Sequence, residues 1–439
     1  MARADTKPNA LDPGRALLDP ERYARDGYPH ALFQRLRDEA PICRVSDPMV
    51  PYWAITRHRD IVEVCRDPGR FSNLPHFQIN IDAPFGSADA REPETIIQMD
   101  PPRHRQFREL VSHRFTPRAL LSVEAALDPI ADEVIDALQA EGAEGECDFV
   151  EKLATPFPMA VIAWLLEVPR ADWPLLFLWT NGVVAPNEPE YQRDGESPHE
   201  TRLRCSQSLY DYFGALARER ARGNGDDLVT LLAQARVDGE PLPPHLLASY
   251  YMLLIVAGNE TTRNAISGGI EALMAHPDRW DELVAHPERV KDAGEECLRW
   301  STPVVQMART ATRDTTLHGQ AILQGDTLVC FYASANRDER VFEKPFEFLF
   351  DRRPNPHLAF GIGEHFCVGA HLARIEVRAM LRRLVARFER FEATGTPIRL
   401  QSSTTGGWKQ LPVRYAIQRG SQARGKTRPI AGGVRYARN

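Results

Sequence analysis

The sequence feature that most restricts the possible folds is a long helical pattern past the middle of the chain. Pro243-Pro244 marks a helix start, the apolar pattern runs from Leu246 to about Met274, and a proline at position 277 ends it. At 1.5 Å per residue such a helix is roughly 45 Å long, enough to cross a whole domain. By length alone 439 residues would suggest about three domains, but the length also permits one large core.

Composition excludes several classes of protein. With 43% hydrophobic and 26% charged residues the chain is typical of soluble globular proteins, and a net charge of −6 argues against nucleic-acid binding. Residues 1–15 contain no signal-peptide core, and the most apolar runs, 157–166 and 250–257, are far shorter than a bilayer span. The seven cysteines are scattered without a CxxC pair, so we expect no disulfide framework. These features predict a cytoplasmic protein with no membrane or nucleic-acid partner.

The remaining periodicity predicts a mainly α fold with small β-sheets. Residues 289–300 and a segment starting just after Cys367 are the other clear helices, while Tyr52–Thr56 is typical of a short strand. Ala321–Phe331, centred on Gly325-Asp326, predicts a hairpin. We divide the chain into a flexible N-terminus (1–19), one domain (20–417) and a flexible basic tail (418–439).

The most informative segment is a glycine-rich loop around one cysteine, Phe360–Gly369, with the sequence FGIGEHFCVG. Its glycines allow the backbone to approach a flat, bulky group, and a helix N-terminus after Cys367 favours a thiolate, which is a soft metal ligand. The alternative is an ordinary buried cysteine ahead of a helix.

The pattern F-x-x-G-x-x-x-C-x-G resembles the haem-binding loop of the cytochrome P-450 family, and the resemblance extends from about Pro20 to Ile417. It implies a single-domain cytochrome P-450 fold with a long central helix, and haem b as cofactor. In this family Cys367 would be the axial ligand of the haem iron and His365 would reach a propionate. Phe360, Gly361 and Gly369 would contact the cofactor as part of the loop.

An acid and an alcohol lie inside the long helix, in the string AGNETT at residues 257–262. Glycine and paired threonines are poor choices in a helix interior, so we expect a local flaw there, with threonine hydroxyls bonding back to the preceding turn. Alone, these residues are equally consistent with a surface glutamate and two ordinary threonines. The string is similar to the family's oxygen-activation motif, which implies that Glu260 and Thr261 deliver protons and that Ala257 contacts the haem.

Two further sets of charged residues match family motifs. Spacing alone lets Arg299 pair with Glu295 or Glu296. The family's E-x-x-R motif implies Glu296, with Arg352 completing a buried triad, although Leu349 stands where an aspartate is usual.

The segment starting at Asp100 resembles D-P-P-x-H-x-x-x-R, which implies that His104 and Arg108 bind haem propionates, with Arg309 as a third candidate. The segment from Asp100 to Arg118 and the helix after Cys367 are both rich in arginine. Together they are either a docking face for an acidic electron carrier or solvated helix faces.

The resemblance implies a monooxygenase that uses dioxygen and two electrons from a separate ferredoxin and NAD(P)H-dependent ferredoxin reductase. Its strings are most similar to enzymes acting on sterol side chains, branched aliphatics and terpenoids, so we expect hydroxylation of a terpenoid or steroid-type aliphatic substrate. Alternatives are epoxidation, demethylation or aryl coupling in the same site, or a haem-thiolate protein that only binds or senses a ligand. The expected substrate-facing residues are Ala257, Asn259, Val304, Val305 and Gln306, together with residues 77–97 and 174–191.

Overall fold

The computed structural model describes residues 13–47, 50–79, 94–184, 186, 191–223, 225 and 227–418. These ranges form a mainly helical fold with small sheets, which confirms the predicted class. Most of the expected N-terminal segment and nearly all of the basic tail lie outside the described residues, so their flexibility stays a prediction. Residues 13–19 include a short 3₁₀ turn, Gly14–Leu17, with Leu17 buried.

The described helices carry most of the core. They are α1 Pro20–Asp26, α2 His30–Glu39, α3 His58–Arg66, α4 Arg103–Ser112, α5 Leu121–Gln139, α6 Pro156–Leu165, α7 Trp173–Val184, α8 Pro198–Arg220, α9 Leu228–Gln234, α10 Pro244–Ala275, α11 Pro277–Ala285, α12 Val290–Ser301, α13 Tyr332–Ala335 and α14 Ala370–Arg387.

The described strands are short. They are β1 Ile42–Val45, β2 Tyr52–Ile55, β3 Phe71–Ser72, β4 Glu144–Asp148, β5 Arg236–Val237, β6 Glu240–Pro241, β7 Gln306–Ala311, β8 Thr315–Leu317, β9 Gln320–Ile322, β10 Thr327–Phe331, β11 Phe388–Ala393, β12 Ile398–Arg399, β13 Trp408–Gln410 and β14 Pro412–Ile417. The largest sheet has the order β1-β2-β10-β7-β3, a second has the order β11-β14-β4, and the pairs β5-β6, β8-β9 and β12-β13 form ribbons.

Helix α10 is the central element, as its length predicts. Its 32 residues begin at Pro244, and its last turn is capped by His276 directly before Pro277. It packs against α6, α8, α12 and α14. Gly268 and Gly269 allow the close approach to α12, because a Cβ at Gly269 would lie 2.6 Å from the sulfur of Cys297. The expected break at residues 257–262 is absent, since the helix is continuous there.

The side chains of the five-stranded sheet alternate between its two faces, and each face covers a separate small hydrophobic core. On β10, Leu328 and Cys330 face one cluster of buried residues, whereas Val329 and Phe331 face another. β2 follows the same pattern, with Trp53 on the first side. This sheet also contains β7, which contributes to the site described below.

The predicted hairpin over Ala321–Phe331 is wrong. β9 pairs with β8, and β10 pairs with β7 and, in parallel, with β2. The reason is the turn chemistry: His318 and Gly319 both have positive φ, which suits the tight two-residue turn that joins β8 to β9. Gly325 forms a second turn that carries the chain away to β10.

Two absences are relevant to the sequence predictions. Within the described ranges, no helix combines the length and the apolar character needed to cross a bilayer. All seven cysteines lie in described positions and all are free thiols.

Candidate active site

The cysteine loop is held tightly between α3 and α14. The backbone N–H of Cys367 donates to the carbonyl oxygen of Phe360 at 3.0 Å. Gly361 and Gly363 have φ values of +65° and +79°, and a side chain at Gly363 would collide with the carbonyl oxygen of Cys65. Glycine is therefore required at this point because the loop lies directly on the end of α3.

The thiol of Cys367 faces a cavity, and its side chain is exposed there. Desolvation by the surrounding protein raises the pKa of the Cys367 thiol even though the side chain is open to the cavity, while a backbone hydrogen bond from Gly369 and the charges of Arg108 and Arg374 lower it. The net shift is upward.

The cavity lies between α10 and the cysteine loop and has a volume of about 240 Å³. The apolar part of the cavity lining includes Ile96, Phe115, Ile162 and Leu253.

Four cationic or imidazole side chains line one side of this cavity. Arg309 on β7 is 3% exposed, donates to the carbonyl oxygen of Ala308, and is paired with no carboxylate of a described residue. Arg108 on α4 donates to the carbonyl oxygen of Phe366 at 2.6 Å, and burial lowers its pKa. These guanidinium groups, that of Arg309 buried and that of Arg108 half-buried, form a binding place for anionic groups of a ligand.

The two histidines adjoin each other at the same edge. The rings of His104 and His365 are 4.1 Å apart, and Nε2 of His365 is buried with no hydrogen-bond partner. Nδ1 of His104 lies 3.3 Å from the carboxylate of Glu364, which also binds Arg105. Burial lowers the pKa of His365 to about 3, so this ring is a neutral hydrogen-bonding group.

The acid and the alcohol on α10 occupy different positions relative to the cavity. Thr261 lines it, and its hydroxyl donates to the carbonyl oxygen of Ala257 at 2.7 Å, as expected for a back-bonding threonine. Glu260 lies behind this wall in an ion pair with Arg263 at 3.0 Å. Burial raises the pKa of Glu260, and the charge of Arg263 opposes this.

Comparisons with known proteins identify the family. A family model described as cytochrome P-450 matches residues 288–417. A methyl-branched lipid omega-hydroxylase of Mycobacterium tuberculosis is 37% identical over 406 residues, which cover 89% of this chain and 91% of the relative. A steroid C26-monooxygenase of the same species is 37% identical over 419 residues, covering 92% and 93%. This chain belongs to the cytochrome P-450 family.

A solved structure gives the same result for the fold. The cytochrome P-450 of Mycobacterium marinum in complex with pseudoionone matches with a TM-score of 0.83 at 33% identity, covering 93% of this chain and all of that chain. The predicted single cytochrome P-450 fold is confirmed, and the protein is a monooxygenase of this family with a haem-thiolate cofactor.

The residues present fit a haem group. A flat group with one soft-ligand position and two carboxylates matches the exposed thiol of Cys367 and the guanidinium groups beside it. The clearest signs are Nε2 of His365, which is buried without a hydrogen-bond partner among the described residues, and the guanidinium of Arg309, which is paired with no carboxylate of those residues.

Glu376 is a cavity residue that the sequence reasoning missed. It is 3% exposed, lines the cavity, and its Oε2 has no hydrogen-bond partner. Burial raises the pKa of its carboxyl well above the usual value, with Thr262 opposing. The available signal was its spacing four residues after Leu372 and four before Met380, which are both buried, on the inner face of α14.

The structure brings the three residues of the predicted triad together. Glu296 binds Arg299 through two hydrogen bonds of 2.7 and 2.8 Å, and Arg352 at 3.1 Å. Leu349, at the position of the usual aspartate, donates its backbone N–H to Glu296 at 2.9 Å. Glu296 and Arg299 are fully buried, so each charge depends on the others.

The expected substrate-facing residues divide into two groups. Ala257 and Val304 line the cavity, whereas Asn259, Val305 and Gln306 do not. Gln306 donates instead to the carbonyl oxygen of Ile79. Of the broader segments, residues 80–93, 185 and 187–190 lie outside the described residues.

The expected docking face on α14 is largely neutralised within the molecule. Its arginines bind carboxylates of α5 and α12, in the pairs Arg374–Glu295, Arg378–Glu295, Arg382–Asp128, Arg383–Asp132 and Arg387–Asp136. The α14 part of the expected docking face therefore carries paired charges, and docking of an electron carrier stays a prediction.

Proposed function

We propose that this cytochrome P-450 binds haem b and hydroxylates an aliphatic position of a hydrophobic substrate of the steroid, terpenoid or branched-lipid type. The observation that carries the proposal is a single cavity in which the Cys367 thiol and the Thr261 hydroxyl face the same space beneath apolar walls. Haem, when bound, supplies the redox centre at which dioxygen is reduced and one oxygen atom is transferred.

Each polar residue of the cavity has a distinct task in this proposal. Cys367 binds the iron, and His104, Arg108, Arg309 and His365 bind the propionates. Charge-assisted bonds between a carboxylate and a guanidinium are strong and directional, which fixes the cofactor plane relative to α10.

Proton supply rests on α10. Burial raises the pKa of Glu260 against the charge of Arg263, which eases the transfer of a proton through this carboxyl, and the hydroxyl of Thr261 passes a proton at Oγ1 towards the cavity. The apolar walls of the cavity exclude bulk water, so Glu260 and Thr261 are the favoured source of protons.

The substrate class follows from the walls and from the relatives. The apolar part of the cavity lining, which includes Ile96, Phe115 and Ile162, suits a chain or fused-ring hydrocarbon more than a charged molecule. Relatives that cover nearly the whole chain are a methyl-branched lipid hydroxylase and a steroid monooxygenase. We assign electron supply to a separate ferredoxin and its NAD(P)H-dependent reductase.

The first experiment is the carbon monoxide difference spectrum of the reduced protein. The wild type should give the red-shifted band of a thiolate-ligated haem, and Cys367→Ser should lose it, whereas the control Cys147→Ser should keep it because Cys147 lies on β4 away from the cavity. Equal spectra for Cys367→Ser and the wild type would refute the ligand assignment.

The second experiment measures turnover with a surrogate ferredoxin and reductase on steroid, terpenoid and branched-lipid substrates. The wild type should form hydroxylated product, and Thr261→Ala should divert reducing equivalents to hydrogen peroxide. Absence of product with equal peroxide release in both proteins would favour a haem-thiolate protein that only binds its ligand.

A further inference from the structure

The guanidinium of Arg309 contacts a buried cysteine as well as the cavity. Its Nη1 donates to the carbonyl oxygen of Ala308 at 2.7 Å, and its Nη2 donates to the sulfur of Cys65 at 3.9 Å. Cys65 lies on α3, is 4% exposed and is not among the cavity residues, whereas Arg309 lines the cavity. The sulfur therefore contacts the guanidinium from outside the cavity.

The sulfur of Cys65 is itself restricted by its neighbours. The hydroxyl oxygen of Tyr332, at the start of α13, lies 3.7 Å from it, and Tyr332 is also buried. The backbone of Cys65 lies against the cysteine loop, because a Cβ at Gly363 would collide with its carbonyl oxygen. Close packing on several sides leaves this thiol little freedom to change its rotamer.

The two groups of this contact favour opposite charges. Hydrogen bonding with Cys330 and the positive charge of Arg309 lower the pKa of the Cys65 thiol to about 6, although burial raises it. Burial lowers the pKa of Arg309, but negative charge on Cys65 and its neighbours outweighs this, and the net shift is upward. Electrostatic attraction thus supports the contact that the distance shows.

A sulfur atom is a suitable partner for a cation that also binds a second group. Sulfur is a weaker hydrogen-bond acceptor than a carboxylate oxygen, so it orients a guanidinium without satisfying it. Because the planar guanidinium of Arg309 has five N–H donors, the contacts with Ala308 and Cys65 leave others for a ligand in the cavity. Arg309 is therefore oriented and still able to bind a carboxylate.

We propose that Cys65 is a positioning residue for the binding of a haem propionate: its sulfur fixes the guanidinium of Arg309 so that the remaining N–H groups face the cavity. The inference rests on the proposed haem-binding function. An arginine loses side-chain entropy when it becomes fixed, and a partner that fixes it before the cofactor arrives lowers that cost of binding. Loss of the sulfur should therefore weaken haem binding only through Arg309, and only for a haem with free carboxylates.

Cys43 provides the matched control. It is a fully buried thiol on β1, in the hydrophobic cluster on the opposite face of the five-stranded sheet from Cys65. β1 lies three strands away from β7, which carries Arg309. Cys43→Ala therefore removes the same sulfur atom from the same sheet, far from the guanidinium, and separates the loss of the contact from the loss of buried volume.

The test measures how fast the haem-loaded protein loses its cofactor to apomyoglobin, once with haem and once with haem dimethyl ester, whose carboxylates are blocked. With haem, Cys65→Ala and the volume-filling Cys65→Val should lose the cofactor about three- to tenfold faster than the wild type, the effect of one hydrogen bond. Cys65→Ser keeps an acceptor and should have an intermediate rate, and Cys43→Ala should match the wild type.

Two further arms distinguish positioning from packing. With the dimethyl ester, Cys65→Ala, Cys65→Val and the wild type should lose the cofactor at the same rate, because no carboxylate is present for Arg309 to bind. In an Arg309→Gln background, adding Cys65→Ala should not accelerate the loss further, since residues that act through one contact are not additive.

Equal rates for haem in the wild type and both acceptor-free variants would overturn the inference. An acceleration that persists with the ester or in the Arg309→Gln background would also overturn it, because Cys65 would then act on packing alone. A wild-type protein that lacks the red-shifted carbon monoxide band overturns the proposed function, and this inference with it; a normal wild-type band with unaffected Cys65 variants overturns this inference alone.

Discussion

Glu296→Gln should destabilise the protein strongly, because it removes the only negative charge of the described triad. Glu296 is fully buried and accepts hydrogen bonds from Arg299, Arg352 and the backbone of Leu349. Glutamine keeps the shape but leaves two guanidinium groups without a counter-charge, and its amide N–H₂ faces their donors. Breaking a buried pair by removing one partner costs about 3–5 kcal/mol, which sets the expected loss in free energy of unfolding.

Urea unfolding followed by circular dichroism measures this loss, with Glu288→Gln as control. Glu288 also carries an ion pair, with His286, but its side chain is 73% exposed, so its replacement should change stability little. The difference between the variants should persist at high salt, because buried charges are poorly screened. A loss for Glu296→Gln no larger than for Glu288→Gln would refute the reasoning.

Three further predictions follow from the site and the core. Arg309→Gln should weaken haem retention in a transfer assay, because a propionate loses its buried counter-charge. Arg313→Gln, at an exposed position, should retain haem like the wild type. Equal haem retention in the two variants would contradict the assignment of Arg309. Gly269→Ala should lower the free energy of unfolding in urea by about 1–3 kcal/mol, since its Cβ would lie 2.6 Å from the sulfur of Cys297. Adding Cys297→Ala to this variant should restore most of the lost stability. A double variant that is no more stable would exclude this contact as the cause. Glu364 has a pKa lowered to about 2, chiefly by the Arg105 hydrogen bond, so its contribution is full above pH 4.5 and is lost as the pH falls towards 2. Unfolding free energies of the wild type and Glu364→Gln should converge over that range, and a constant difference would contradict the linkage.

Features encoded at short spacing were the ones the sequence predicted well. The extent of α10 follows from its apolar period and its flanking prolines, which are a local pattern. The triad was not fixed by spacing, because Arg299 could pair with Glu295 as well as Glu296. The choice of Glu296, together with the distant Arg352, came from the resemblance to the family motif. The hairpin prediction was wrong because two successive turns compete there, and the positive φ values at His318 and Gly319 decide which strands pair.

Contacts between distant segments could not be predicted from one sequence. Arg383 and Arg387 are some 250 residues from the α5 aspartate they both bind, Asp132, and nothing local distinguishes these arginines from a solvated stripe. The orientation of Asn259 away from the cavity likewise depends on the rotation of α10 against its neighbours, which small differences in packing set.

The distribution of the cavity residues along the chain has a consequence for biosynthesis. His104 and Cys367 both line the site but are separated by about 260 residues of synthesis. At about 5–20 residues per second, His104 leaves the ribosome on the order of 10–50 s before the cysteine. Val111 and Phe115, which share one hydrophobic cluster with residues of α14, are made in that interval without these neighbours. A group that needs both the histidine and the thiolate is therefore held only after synthesis has passed Cys367.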